Sequence, residues 1–127
     1  MKYIKKILKK LSEDPVTSKT PTIVFARDPK CNLNEFKLDD LSCYGMFTSV
    51  DPSSAIRVFE GSHALQGNLD PKILLEEDSV IKESALKMLS EFKDFPGYIF
   101  NLGHGITPDI NPDKVKVLVE AIRESGT

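Results

Sequence analysis

Four short apolar runs punctuate the chain: Thr22–Ala26, Tyr44–Val50, His63–Gly67 and Tyr98–Leu102. Each is continuous rather than alternating, the pattern of strands covered on both faces, and none is long enough to make a good helix. Between them the apolar positions recur at helical spacing. Leu33–Leu41 carries Leu33, Phe36, Leu38 and Leu41, while Ser53–Phe59 and Lys72–Leu75 are shorter helical stretches. Val80–Phe92 sets Ile81, Leu86, Leu89 and Phe92 close to one stripe, and Lys114–Ile122 sets Val115, Leu118, Val119 and Ile122 on one face. Met1–Leu11 opens with Tyr3, Ile4, Ile7, Leu8 and Leu11 at helical spacing among five lysines.

Three of these helices have legible starts. Asp51-Pro52, Asp70-Pro71 and Asn111-Pro112 each place a capping side chain before a proline. The Asp or Asn accepts bonds from the unpaired amides of the first turn, and proline there gives up no bond, since its nitrogen would be unpaired anyway. Pro15 and Pro29 read as loop prolines, and Pro21 precedes a strand. Strands alternating with helices predict βα units and parallel strands. Four such units make either a small open sheet or half of an eight-stranded βα barrel, and periodicity does not choose between them.

Composition narrows the class. The chain has 127 residues, read as a single domain over 1–127, and a formal net charge of -2, which argues against a nucleic-acid partner. No apolar run approaches a membrane span, and no secretory leader pattern is visible. Cys31 and Cys43 do not make a disulfide framework, so the expectation is a reduced, cytoplasmic protein. The lysines at 2, 5, 6, 9 and 10 read as the solvated face of a packed helix rather than a membrane-surface segment. Five lysines without arginine also fit an organelle leader poorly.

Ligands bind at the carboxyl ends of parallel strands in both architectures. Arg27 and Asp28 leave the first strand there, with Cys31 beyond them; Thr48 and Ser49 leave the second, Asn68 and Asp70 the third, Asn101 and His104 the fourth. Cys43 and His63 enter their strands at the opposite end. That division keeps Cys31, Cys43, His63 and His104 from forming one metal site, so no metal is expected. His104 is the foremost candidate, because imidazole can release a proton or hold an anionic oxygen near neutral pH. Gly103 and Gly105 on either side would free the backbone and leave room beside the ring; the alternative is a loop histidine whose glycines serve the turn. Arg27 reads as a surface ion-pair residue or an anion clamp at the mouth. Asn68 could touch a ligand, Asp70 is explained by capping, and Gln66 would bond neighbouring backbone. Phosphate-loop, dinucleotide and Ser-His-Asp signatures are absent.

Ala64-Leu-Gln-Gly-Asn-Leu-Asp-Pro71, Gly97-Tyr-Ile-Phe-Asn-Leu-Gly-His-Gly-Ile106 with Pro108, and Asn111-Pro112 through Ala121 resemble the C-terminal third of the uroporphyrinogen decarboxylases. Tyr3–Ile7 and Thr22–Ala26 resemble the family's helix and strand at the matching point; Pro29–Phe47 matches less well. The resemblance implies a (β/α)8 barrel and a carbon–carbon lyase of haem biosynthesis without cofactor or metal. Its substrate would be uroporphyrinogen, whose four acetates become the methyls of coproporphyrinogen. His104 falls on the family's active-site histidine, near the substrate's carboxylates and pyrroles. Related methyltransferases carry a zinc-binding Cys at that position, which favours the decarboxylase branch.

The family's arginine-bearing motif, its central Asp and its pocket Tyr and Ser have no counterpart here, and its Gly-Leu-Asp-Trp motif is altered to Gly45-Met-Phe-Thr48. The expected architecture is therefore half a barrel, from the fifth strand to the eighth, as a C-terminal fragment inactive on its own. Open strand edges and uncovered apolar surface predict a homodimer that closes the ring, or association with a missing N-terminal half. The other reading is a non-catalytic remnant that binds porphyrinogen weakly or pairs with a full-length relative.

Overall fold

A computed structural model describes residues 1–27 and 32–126. Asp28, Pro29 and Cys31 lie outside the described residues. Four strands, β1 (Ile23–Phe25), β2 (Cys43–Gly45), β3 (Ala64–Gln66) and β4 (Tyr98–Ile99), form one sheet in sequence order. All three pairings are parallel. Helices α1 (Lys2–Glu13), α2 (Pro52–Phe59), α3 (Asp78–Glu91) and α4 (Pro112–Glu124) flank or connect the strands. The fold is a partial α/β barrel layout of parallel strands alternating with helices, as expected.

The capping residues behave as their chemistry predicts. Asp51 accepts from the Ser54 amide, Asp70 from the Lys72 amide and Asn111 from the Asp113 amide, each followed by its proline. The stretch after Asp70 is a 3-10 turn over Pro71–Leu75. The helix expected over Leu33–Leu41 contracts to a 3-10 turn at Leu33–Phe36. Asn32 caps that turn; after it the Leu38 amide bonds back to Phe36 O and Leu41 to Leu38 O, which no α-helix continues. Phe36 and Leu41 are both buried, so packing rather than helical periodicity set their spacing.

Register decides which residues meet. Val24, Tyr44, Leu65 and Tyr98 share one row across the sheet. They face the helices, joining Leu8, Phe36, Ala55, Phe59 and Phe92 in the larger core. A second cluster unites Leu69, Leu74, Ile81, Ala85, Leu118 and Ala121 beneath α3 and α4. The α3 stripe is therefore Ile81, Ala85, Met88 and Phe92, and Leu86 is 48% exposed, contrary to the expected stripe. At about 100° per residue, position 86 lies well around the cylinder from 81, whereas 85, 88 and 92 return to it. On α4 the buried centre is Leu118 and Ala121, with Val119 at its edge.

The other face of the sheet carries Phe25, Gly45, Gln66 and Ile99 in one row and Ile23, Cys43 and Ala64 in the next. Among the described residues it lies open to solvent along its edge strands. Ile23, Phe25 and Ile99 are 51%, 48% and 44% exposed. Coverage on both faces, expected from the continuous apolar runs, holds for β2 but fails on the edge strands β1 and β4. On α1, Leu8 is buried while Tyr3 and Ile7 are exposed beside the lysines. Among the described residues no helix is long and apolar enough to cross a membrane.

Candidate active site

The carboxyl end of the sheet opens on the uncovered face as a cleft of about 270 Å³, lined by Phe25, Met46, Gln66, Asn101, Leu102, His104 and Gly105. This volume falls just below the ~300–1,000 Å³ usual for small-molecule sites. The segment after β4 supplies two of its three polar side chains, Asn101 and His104. Leu102 continues the sheet through a parallel bridge to Leu69, and the Gly103 amide bonds Leu69 O at 2.8 Å. Asn101 turns its Oδ1 back onto the Leu102 amide at 2.8 Å, which leaves its Nδ2 as the free donor.

His104 follows this anchored turn and is half-buried. Its Nδ1 lies 2.9 Å from Gly105 O. A carbonyl oxygen only accepts, so Nδ1 carries the hydrogen, and in the neutral ring Nε2 presents a lone pair. Phe47 packs against the ring, centroids 5.6 Å apart and planes inclined by 31°. One nitrogen and one face are thus fixed, and Nε2 has no partner among the described residues.

Of the two reasons expected for the flanking glycines, backbone freedom is not used and room is used differently by each. Neither has a positive φ; those are Gly61, Gly67, Gly97 and Gly126. Gly103 is required by close approach, because a Cβ there would lie 2.6 Å from the Thr48 backbone nitrogen and against its hydroxyl. Gly105 has nothing within 4 Å of such a Cβ. The first glycine locks the His104 turn against the loop after β2; the second leaves open space beside the ring.

Other expected site residues separate into roles. Asn68 is 4% exposed and donates from Nδ2 to Phe47 O and Val50 O, at 2.9 and 2.7 Å. It braces the loop that carries Phe47 rather than facing the cleft. With Thr48 and Asp70 it lines a separate groove of about 410 Å³ bounded by α3 residues Ser84, Lys87, Met88 and Glu91. Arg27 is exposed, in a bend beyond the end of β1. Cys43 and His63 lie at the opposite end of the sheet. His63 bridges Ser62 Oγ and Leu38 O, and burial pushes the Cys43 thiol up. Gln66 bonds no neighbouring backbone through its side chain among the described residues, contrary to expectation; its main-chain oxygen accepts from the Met46 amide at 2.7 Å. The walls Phe25, Met46 and Leu102 were not singled out from sequence. Gly45 was the available signal for Phe25, since it stands opposite in the register and leaves room for the ring.

The profile of the uroporphyrinogen decarboxylase (URO-D) family matches residues 1–125. The chain belongs to the uroporphyrinogen decarboxylase family. The uroporphyrinogen decarboxylase of Alcanivorax borkumensis is 34% identical over 124 residues, covering 98% of this chain and 35% of that protein. That of Chloroherpeton thalassium is 39% identical over 123 residues, covering 92% and 35%. A shorter match, to the Vesicomyosocius okutanii uroporphyrinogen decarboxylase, reaches 56% over 59 residues, 46% of this chain and 17% of that protein. This family member thus spans about a third of the length of the curated relatives it matches. In fold it is similar to a methyltransferase from Methanosarcina mazei, at a TM-score of 0.72 and 20% identity over 98% of this chain and 36% of that one.

Proposed function

We propose that this chain is the C-terminal part of a uroporphyrinogen decarboxylase and that His104 acts on the acetate side chains of its substrate. The observation that supports this most is the imidazole held at the sheet rim, with Nδ1 engaged by Gly105 O and Nε2 left for a ligand. Converting a pyrrole-bound acetate to a methyl consumes one proton and releases one CO2. A proton on a ring carbon makes the pyrrole an electron sink. The bond to the carboxylate then breaks, its electron pair enters the ring, and the resulting methylene takes up a proton as the ring loses one. Protonated His104 would donate from both nitrogens, to Gly105 through Nδ1 and to substrate through Nε2. At that atom it can hand over the proton or hold a carboxylate oxygen.

Neither cofactor nor metal is needed for this step. The described residues supply one pocket cation-former, whereas an octacarboxylate calls for several. The rest of the site would come from the portion of the family barrel beyond this third. We infer that the open face and the free edges of β1 and β4 close against such a portion, giving one eight-stranded ring.

The test joins this chain with the complementary portion of the Chloroherpeton thalassium enzyme and follows coproporphyrinogen by chromatography after oxidation. The chain alone should give no product, the mixture should give product, and His104→Ala should lower its rate about 10²-fold or more. Unchanged turnover in that variant would remove His104 from the mechanism. A mixture that binds uroporphyrinogen without turnover would favour the reading as a non-catalytic remnant, which the lone His104 among the family's pocket residues also suits.

A further inference from the structure

We propose that Gln66 is a second substrate-contacting residue of this cleft, donating from its carboxamide Nε2 to the carboxylate on which His104 acts. The inference rests on the decarboxylase reading above and adds a residue to it.

Gln66 closes β3, one of the two inner strands, and shares its row with Gly45 on one side and Ile99 on the other. Phe25 leans across Gly45, so close that a Cβ there would lie 3.2 Å from Phe25 Cβ. A flat apolar ring and a carboxamide therefore flank the same glycine in one row, and both line the cleft with His104. Every other side chain on this face in β1–β4 is apolar or a thiol: Ile23, Phe25, Cys43, Ala64 and Ile99. Gln66 is half-buried, and its side chain has no hydrogen-bond partner among the described residues. Its carboxamide opens into the cleft with no hydrogen bond spent among those residues, so its donors are free to meet a ligand.

The chemistry selects the ligand group. Nε2 offers two donors, and the neighbouring Asn101 offers Nδ2, its oxygen being committed to Leu102. Two neutral donors can aim an acetate carboxylate without holding its charge as an arginine would. Phe25 supplies a face for the pyrrole, and the cleft's volume of about 270 Å³ suits one ring with its side chains rather than the whole macrocycle.

The test titrates the full chain, labelled with nitrogen-15, with pyrrole-3-acetate and separately with 3-methylpyrrole, the same ring without its carboxylate. The side-chain NH2 signals of Gln66 should move with pyrrole-3-acetate together with the His104 ring signals, and should stay in place with 3-methylpyrrole. Gln66→Leu should weaken binding on the order of tenfold, and Gln66→Glu further, by charge repulsion. Melting temperatures close to the wild type would show that both variants fold. Movement at His104 without movement at Gln66, or equal movement with both probes, overturns the proposal and leaves the decarboxylase reading intact. Movement at neither residue overturns both.

Discussion

At the scale of single residues, His104 is set by its neighbours more than by its own chemistry. The Gly103 amide is pinned to Leu69 O, its missing side chain admits Thr48, and Asn68 holds the loop behind Phe47. Gly103→Ala must therefore push the Thr48 backbone aside, a cost of about 1–3 kcal/mol for overpacking. Gly105→Ala meets open space at a φ any residue accepts, so it should be neutral or gain up to about 1 kcal/mol. Urea unfolding of the two variants measures the contrast; equal destabilisation would show that the second glycine has a backbone role after all. Sequence alone presented these glycines as a symmetric pair. What separates them is a contact with a residue 55 positions earlier, and no local pattern carries that. Gln66 was misread for the same reason, because which neighbours its side chain meets emerges only once the strand register is known.

At the scale of elements, local chemistry was the most legible layer. The Asp-Pro and Asn-Pro pairs announced three starts, and all three side chains accept the amide bonds that their positions imply. Leu33–Leu41 shows where periodicity misleads: its apolar residues are buried by the sheet rather than by one helix face, so a 3-10 turn suffices. The α2 cap also gives a pH prediction. The hydroxyls of Ser54 and Ser53, then the Ser54 amide, hold the Asp51 carboxyl below its ordinary value. A lowered native value means this stabilisation is complete above the ordinary carboxylate range and is lost as pH falls through the native value. Asp51→Asn keeps an acceptor and cannot titrate. Its stability, followed by circular dichroism from neutral pH downwards, should fall less steeply on the acid side than the wild type. Parallel acid limbs would mean that the cap does not contribute to acid sensitivity.

At the scale of the whole molecule, helix order argues about what completes the ring. The parallel strands were legible from the strand–helix alternation, but that alternation could not say whether the sheet stays open. The structure leaves β1 and β4 as edges, with apolar Ile23 and Phe25 exposed on the first and Ile99 on the second. Helical segments precede β1, separate each pair of strands and follow β4, which makes five helical layers for four strands. Two copies closed into one ring would bring α4 of one and α1 of the other to the same seam, where a (β/α)8 barrel holds one helix. A partner that begins and ends in a strand, with four strands and three helical connections, leaves each seam with one. Such a partner would also cover Tyr3 and Ile7 on α1, which solvent now meets. Analytical ultracentrifugation should therefore show a one-to-one complex when the chain meets the complementary portion of the Chloroherpeton thalassium enzyme, with loss of hydrophobic-dye binding. A tight homodimer that the added portion neither dissociates nor joins would mean that α1 moves aside, so that two copies share the seam after all.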